Sequence, residues 1–422
     1  MRAVRFHEFG GRDVLRIDQL PQPEPDADSV VIRIARAGVS PLDDKVRTGV
    51  LPSSMRKPLP LVPGASAVGR VEDPGTSGHA PGARVLLCGW GYGTTRDGTW
   101  RELAAVPPSH LVPVPDDVSD DDAAGLVTGS GYLTAWLALT KTARMRPGQV
   151  VLAPGIYGAV ANAAAQVAPI LGASRVISTA RGADRLAAVP RADDLAIIDL
   201  EQETLSAGVA RLTEGAGVDV VLDGLGGDLT GQALGTLRRG GVLVSIGYTA
   251  GTKAAIDVTD LIWKTARMEG FLFTAFTQQE VADTYRTLLG HLSAHAIKPA
   301  IDGVHPLDQA AEAQRRVVED RPLGRVFLDP VPEPASWPAA LRGRLRARRA
   351  GWPALRWTSF SLSRLCGGSC RTGVFRSWPR PRRHGELAGG THGSRLVQRG
   401  VRGFTALVAA GLGGIPPKAA QR

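Results

Sequence analysis

The sequence predicts an α/β protein built around a doubly wound parallel sheet, and three observations support this fold class. From residue 123 to about residue 273, short apolar runs alternate with helical segments, in the order VVLAPG, RVISTA, LAIIDL, VDVVLDGLGG and GVLVSIG. Strands that recur with helices between them form a parallel sheet covered on both faces. The segment before this one is β-rich, and the segment after it ends in one more apolar strand, RVFLDP.

The β-rich first segment extends to about Asp120 and is identified by alternation and by turns. Residues 29–36, SVVIRIAR, place Val30, Ile32 and Ile34 on one face of a strand. Clusters of Pro, Gly and Asp in PQPEPDAD, DPGTSG and APGARV predict turns between short strands. Residues 277–330 predict two helices before the final strand, and the second of them begins after Pro306.

The bulk composition indicates a globular protein that works in solution. A chain of 422 residues is long enough for two or three domains, each with its own core. No apolar run is long enough for a membrane-spanning helix, and the start, MRAVRFHEFG, lacks the apolar core of a signal peptide. Three cysteines fit a reducing compartment, so we expect a cytoplasmic protein without membrane contact.

The net charge of +10 is concentrated in the last part of the chain. Residues 331–422 hold 17 Lys and Arg against two acids, whereas residues 1–330 hold 33 basic and 38 acidic residues. This basic tail is rich in Arg, Pro, Gly and Trp but shows no sustained period or motif. The composition favours a disordered extension, or a stretch read outside its natural frame, over an arm that binds nucleic acid.

The stretch VVLAPGIYGAVANAAAQVA, residues 150–168, has the order that a phosphate cradle requires. An apolar strand ends, the chain turns through Gly155 and Gly158, and an alanine-rich helix begins, with Ala161 at the usual position of a third glycine. Such a helix directs unpaired backbone N–H groups at an anion. The alternative is a tight structural turn without a ligand.

The end of the second strand indicates which dinucleotide the turn would hold. An NAD enzyme offers Asp or Glu to the ribose hydroxyls about 20 residues beyond the glycine turn. Here RVIST is followed by Ala180 and Arg181, with Arg185 one turn later. Guanidinium groups bind a 2′-phosphate in a bidentate manner, so we expect NADPH. The alternative is that both arginines are ordinary solvated side chains.

Taken together, the motifs of residues 1–330 resemble the medium-chain dehydrogenase/reductase superfamily, closest to its zinc-free, quinone-oxidoreductase-like branch. The resemblance lies in AGVSPLDDKVRTG, PLVPGASAVGRV, SGYLTAW, the glycine turn, VDVVLDGLGG…GGVLVSIG and GRVFLDP, in that order. It implies a GroES-like β-barrel domain (1–122 and 273–330) with a Rossmann domain (123–272) inserted, followed by the tail (331–422). Relatives commonly pair through the Rossmann sheet, which implies a homodimer.

The resemblance also implies that no metal is bound. Zinc-using relatives have Cys where this chain has Ser40, and His–Glu where it has Ala65 and Ser66. These residues offer no tetrahedral set of zinc ligands. In HLSAH, His291 and His295 lie one helical turn apart, but without the glutamate of a zinc-protease helix they predict a solvated helix face.

Without a Lewis acid, reduction of an activated acceptor is easier than oxidation of an alcohol, which favours hydride transfer from NADPH to a quinone or an α,β-unsaturated carbonyl. We expect Ser40 to donate to or orient the substrate oxygen, with Lys45 and Tyr132 as further candidate proton donors. Asp43 is expected to order its loop. By resemblance, the residues that border the nicotinamide are Thr134, Gly226, Ser245 and Gly247.

Two other functions fit the same residues. An enoyl reductase that acts on carrier-bound thioesters would need a long pocket with basic residues at its mouth. The other alternative belongs to a different functional class, because it is not an enzyme. It is a nucleotide-binding protein that has lost catalysis and whose tail binds RNA or DNA. NADPH oxidation with small quinones and enones separates the quinone or enone reductase from this inactive nucleotide-binding protein.

Overall fold

The computed structural model describes residues 1–330, and the prediction of a disordered basic tail lies outside the described residues. The elements in chain order are β1 (Arg2–Arg5), β2 (Arg16–Gln19), β3 (Val30–Val39), α1 (Pro41–Arg47), β4 (Ala67–Asp73), β5 (Arg84–Leu87), β6 (Leu103–Val106), β7 (Leu111–Pro113), α2 (Asp120–Val127), α3 (Gly131–Leu137), β8 (Val150–Ala153), α4 (Ala159–Ile170), β9 (Arg175–Ala180), α5 (Ala183–Ala188), β10 (Leu195–Asp199), α6 (Leu205–Leu212), β11 (Val218–Asp223), α7 (Asp228–Gly235), β12 (Leu237–Ser245), α8 (Val258–Lys264), β13 (Arg267–Gly270), α9 (Gln278–Ser293), β14 (Ile301–Pro306), α10 (Ala310–Arg315) and β15 (Arg325–Asp329).

The first and last parts of the described chain share one sheet. Its strands follow the order β14-β15-β3-β4-β5-β7, with β6 paired to β3, and β1 and β2 form a separate hairpin. Strand β15 returns antiparallel to β3, where Phe327 is opposite Gly38. The inner faces bury Ile32, Val85 and Trp100 in one core. The β-rich first domain and its completion by the last strand are therefore confirmed.

The middle of the chain forms a parallel sheet with the strand order β10-β9-β8-β11-β12-β13. In order of appearance this is 3-2-1-4-5-6, the order of a doubly wound dinucleotide-binding fold. Its central strands are buried on both faces, and β11 carries a continuous run of six buried residues. The predicted α/β fold class is confirmed, while the domain boundaries at 122, 272 and 330 stay a proposal.

Helices α2, α3, α4 and α9 connect the two sheets through a shared core. Gly131, the first residue of α3, allows α3 to approach α4 closely, because a Cβ there would lie 2.3 Å from the carbonyl oxygen of Ala159. A capping box of Thr277 and Glu280 begins α9. None of the helices in residues 1–330 has the length and apolar character that crossing a membrane requires.

Candidate active site

The predicted cofactor residues of the parallel sheet gather at one edge. The glycine turn follows β8, the two arginines follow β9, and Gly226 follows β11, while Ser245 ends β12 and Gly247 lies just beyond it. Parallel strands present their carboxyl ends at the same edge, and ligands of open α/β sheets bind there. The structure thus brings together residues that are up to 92 positions apart in the sequence.

The glycine turn has the backbone geometry of an anion cradle. Gly155 has a φ of +82°, which only glycine adopts without strain. Its N–H donates to Thr179 Oγ1 (2.9 Å), and Gly158 N–H donates to the Gly155 carbonyl (2.7 Å). Helix α4 then begins without any side-chain cap on its first N–H groups, and Ala161 is buried in its first turn. These free donors at a helix N-terminus suit a diphosphate.

A buried arginine beside this turn is a residue that the sequence analysis missed. Arg325, at the start of β15, donates from Nη2 to the Ala159 carbonyl in the first turn of α4 (3.3 Å). Its Nε is buried and has no hydrogen-bond partner in the described residues. Burial lowers the pKa of this guanidinium. An unsatisfied buried cation next to a helix N-terminus is compensated when an anion binds there. The one sequence feature that could have indicated this residue is an Arg at the first position of an otherwise apolar strand.

The two arginines after β9 have different surroundings. The Arg185 guanidinium carbon lies 4.6 Å from the centroid of the Tyr157 ring, and its Nη2 donates to the Asp320 carbonyl (3.3 Å). Arg181 is exposed. Two acids that the sequence analysis had not placed here come from the end of β10: Asp199 accepts from Gly182 N–H (3.3 Å), and the Glu201 carboxylate lies near Gly182. Arginine and carboxylate side chains therefore lie together at the ends of β9 and β10.

A buried aspartate shapes the loops that follow β11 and β12. The Asp223 carboxylate accepts from the N–H groups of Leu225 and Gly226 and from Thr230 Oγ1 (2.6–3.0 Å). Its backbone carbonyl accepts from the N–H groups of Ile246 and Gly247 (2.8 and 3.2 Å). Both loops are therefore held in one fixed arrangement at the cofactor edge.

The loop with Ser40 comes from the other sheet and is ordered by Asp43, as expected from the sequence. Asp43 Oδ2 accepts from Ser40 N–H (2.7 Å) and from Ser40 Oγ (2.9 Å), and its Oδ1 accepts from Gly64 N–H (3.0 Å). This is a capping box at the start of α1, with Pro41 at the first helical position. While Asp43 is ionised, the Ser40 hydroxyl proton is engaged by that carboxylate.

Burial raises the pKa of Asp43 to about 6, against an ordinary value of 3.8, although its hydrogen bonds act in the opposite direction. The folded chain therefore holds this proton more tightly than the unfolded chain does. The associated stabilisation is complete below pH 3.8 and is lost as the pH rises through about 6. At neutral pH Asp43 is ionised and available to accept all three hydrogen bonds.

Lys45 lies two residues beyond Asp43 on α1, and its ammonium reaches the other sheet. The Nζ atom lies 3.9 Å from the centroid of the Tyr248 ring. Tyr248 follows Gly247 directly in the loop held by Asp223. The structure thus places a cation from the first sheet beside the loop at which the predicted nicotinamide-bordering residues lie.

Tyr132 requires a correction, because the structure does not bring it to this edge. Its side chain is fully buried in the core between the sheets, and its hydroxyl accepts from Gln166 Nε2 (2.9 Å). Burial raises the pKa of this phenol to about 12. The Tyr132 hydroxyl is thus held by Gln166 inside the core and is not directed at a substrate. Thr134, in the same helix, is buried as well.

Zinc does not fit the residues at the corresponding position. Ser40 stands at the position of the thiolate and is bound to Asp43, whereas Ala65 stands at the position of the imidazole and has no ligand atom. Ser66 Oγ lies 3.5 Å from Thr128 Oγ1. Within residues 1–330, no group of three or more His, Cys, Asp or Glu could hold a metal ion. The helix predicted to carry both histidines of HLSAH ends at Ser293, so His295 lies outside it.

Comparison with known families and proteins agrees with this geometry. The family described as "Alcohol dehydrogenase GroES-like domain" matches residues 26–116, and the family described as "Zinc-binding dehydrogenase" matches residues 159–292. Quinone oxidoreductase of Sus scrofa is 26% identical over 332 residues, which covers 78% of this chain and 97% of that protein.

Two solved structures show the same fold over the described part. A quinone oxidoreductase of Pseudomonas syringae pv. Tomato is 27% identical with a TM-score of 0.67, and the match covers 78% of this chain and 99% of that one. An NAD-dependent alcohol dehydrogenase is 29% identical with a TM-score of 0.68, at the same coverage of 78% and 99%. The similar proteins thus share the fold but differ in the reaction that their names give, and one of the names gives NAD as the cofactor.

Proposed function

Because the chain belongs to the medium-chain dehydrogenase/reductase superfamily, in its quinone-oxidoreductase-like branch, and is an oxidoreductase of that family, we propose that it is a zinc-independent, NADPH-dependent reductase of quinones or α,β-unsaturated carbonyls. The observation that carries this proposal is that an anion cradle at the start of α4 and the Lys45 ammonium, beside the loop after β12, face the same edge of the parallel sheet. The names of the similar quinone oxidoreductases support the acceptor class.

The residues that would hold the dinucleotide fit its chemistry. The N–H groups at the start of α4 and the Arg325 guanidinium would bind the diphosphate, and Arg181 and Arg185 would bind a 2′-phosphate. Thr134, Gly226, Ser245 and Gly247 would border the nicotinamide. When bound, NADPH supplies the hydride.

Lys45 and Ser40 would act on the acceptor. The negative charge that develops on the acceptor oxygen during reduction is stabilised by a donor that is already in place. Lys45 offers three N–H donors, whereas the Ser40 hydroxyl donates to Asp43. We therefore assign the donor role to Lys45, while Ser40 orients the substrate, and the final proton comes from Lys45 or from water.

The proposed function predicts NADPH oxidation that depends on a quinone or enone, with a higher kcat/KM for NADPH than for NADH. Arg181→Ala should raise the KM for NADPH about tenfold or more and change the KM for NADH less than twofold, because only the former cofactor carries the 2′-phosphate. Steady-state kinetics with a panel of benzoquinone, naphthoquinone, an alkyl enone and an enoyl thioester measures both effects.

The control is Arg191→Ala, which removes an exposed arginine further along the chain. It should leave both cofactors unaffected. Equal effects of Arg181→Ala on NADPH and NADH would contradict the phosphate assignment, and turnover confined to the thioester would favour the enoyl reductase alternative. No turnover with any acceptor would remove the proposed function.

The proposed homodimer is supported by an apolar surface at the edge strand β13. This edge surface consists of Val258, Ile262, Trp263, Met268 and Leu272, and Trp263 is 76% exposed. In residues 1–330, β13 is paired on one side only, with β12. Antiparallel pairing of two copies about Met268 would place Arg267 of each opposite Glu269 of the other. Exposed apolar area beside an unpaired strand edge indicates an interface.

Sedimentation velocity should therefore give twice the monomer mass for the unmodified protein. Trp263→Glu combined with Ile262→Lys should yield a monomer, because it places charges in the centre of the edge surface. Val50→Glu is the matched control, since Val50 is also strongly exposed (72%) but lies near α1. A monomeric unmodified protein, or a double variant that stays dimeric, would rule out this interface.

A further inference from the structure

The contact between Lys45 and Tyr248 joins the two sheets, and the proposed function uses only the lysine. The distance of 3.9 Å from Nζ to the ring centroid is well inside the range of a cation–π interaction. Tyr248 is half exposed, and Lys45 is partly buried. The ring thus partly covers the ammonium without removing it from solvent.

Lys45 has no carboxylate partner in residues 1–330, although two acids precede it on its own helix. The Asp44 carboxylate pairs with Arg47, and Asp43 accepts from Ser40 and Gly64. Among the described side chains, the Tyr248 ring is therefore the group that orients the Lys45 ammonium. A carboxylate in that place would neutralise the charge and occupy its N–H groups.

Both sides of the contact are anchored. The loop with Tyr248 is fixed by the bonds of the Ile246 and Gly247 N–H groups to Asp223, and by Ala250 N–H to the Leu225 carbonyl (2.7 Å). Helix α1 is fixed at its end by Arg47, which is buried and donates to Gln314 Oε1 (2.6 Å). The two elements that carry the lysine and the ring are thus each held in place by hydrogen bonds.

We propose that Tyr248 is a positioning residue, whose ring holds the Lys45 ammonium at the cofactor edge as the donor to the acceptor oxygen. This inference rests on the proposed function of Lys45. A ring face attracts the ammonium through its quadrupole and accepts no conventional hydrogen bond, so the N–H groups of Lys45 stay free to bind the acceptor. The aromatic ring of Tyr248, and not its hydroxyl, performs this role.

Substitutions at Tyr248 test the proposal through a difference between ring and hydroxyl. Tyr248→Leu should lower kcat for a quinone about threefold to tenfold and change the KM for NADPH less than twofold, because the lysine loses its direction while the cradle stays intact. Tyr248→Phe should keep kcat within twofold of the unmodified protein. Equal losses in both variants, or no loss in Tyr248→Leu, would overturn the proposal.

A double-mutant cycle separates action through Lys45 from a general effect on the loop. In a Lys45→Met background, Tyr248→Leu should cause no further decrease in kcat. A decrease of the same size in both backgrounds would mean that Tyr248 acts independently of the lysine, and the positioning role would be wrong.

A spectroscopic measurement tests the contact without any turnover. The chain has seven lysines, so its ¹³Cε-labelled lysine spectrum is simple enough to assign by Lys45→Met. The Lys45 Hε resonances should be shifted upfield by the ring in the unmodified protein and in Tyr248→Phe, and should return to ordinary values in Tyr248→Leu. An active protein without this shift contradicts the positioning role alone, whereas a shift without turnover of any acceptor contradicts the proposed function.

Discussion

Arg325→Met is expected to weaken NADPH binding by about 10- to 100-fold and to leave the free protein at least as stable as the unmodified one. The lost affinity is that of charge-assisted hydrogen bonds to the diphosphate, about 1.5–3 kcal/mol. The retained stability follows because the guanidinium is buried with its Nε unpartnered in the described residues. Removing such a charge relieves a desolvation penalty. Isothermal titration calorimetry and thermal unfolding, each with and without NADPH, measure the two effects.

Arg101→Met provides the matched control, because Arg101 is another arginine with a buried, unpartnered Nε, yet it lies in the first sheet domain. It should leave NADPH affinity unchanged. If Arg325→Met unfolds the protein or binds NADPH with unchanged affinity, the guanidinium has a purely structural role. Arg325→Lys should give an intermediate affinity, since it keeps the charge but loses the planar donor set.

The sequence predicted those parts of the site whose residues are close to one another along the chain. An apolar strand, Gly155 with its left-handed backbone, and an alanine-rich helix form one local signal, and the structure has the turn as predicted. The capping role of Asp43 is equally local, because Ser40 and Asp43 are three residues apart. The order of strands and helices in the parallel sheet followed from alternation of runs that are buried on both faces.

The two strands that the sequence did not predict lack such a local sequence signal. Strand β13, RMEG, lies at the sheet edge with mostly exposed side chains, so it needs neither an apolar run nor alternation. Strand β14, IDGVHP, contains Gly and Pro and is defined by its pairing with β15. Propensity alone does not identify strands whose pairing comes from distant residues.

The site residues that were missed or misplaced depend on contacts between distant parts of the chain. Arg325 donates a hydrogen bond to Ala159, which is 166 positions away in the sequence. No sequence pattern around either residue predicts that contact. Tyr132 follows a glycine beside the predicted site, but packing of α3 on α4 directs its hydroxyl to Gln166. Tyr248 reaches Lys45 only because two separate sheets are brought together. Such assignments require the tertiary structure.

The largest kinetic effect is expected for Lys45→Met, which should lower kcat for quinone reduction about 100- to 1,000-fold. This is the typical loss when one preorganised donor to a developing oxyanion is removed. The KM for NADPH should change far less, because the cradle at Gly155 and the arginines are not altered. Methionine keeps most of the apolar stem, so the fold is preserved. Steady-state and single-turnover kinetics of NADPH oxidation measure the effect.

Ser40→Ala and Lys141→Met complete this experiment. Ser40→Ala should cost less than tenfold in kcat, because the Ser40 hydroxyl donates to Asp43 and offers no free proton to an acceptor. Lys141→Met removes an exposed lysine outside the site and should have no effect. If Ser40→Ala is the more damaging of the two site variants, the donor is the serine, and the ionised carboxylate of Asp43 acts as its partner. If neither lowers kcat, the acceptor oxygen is stabilised by backbone N–H groups at the cofactor edge, and the lysine has no part in the chemistry.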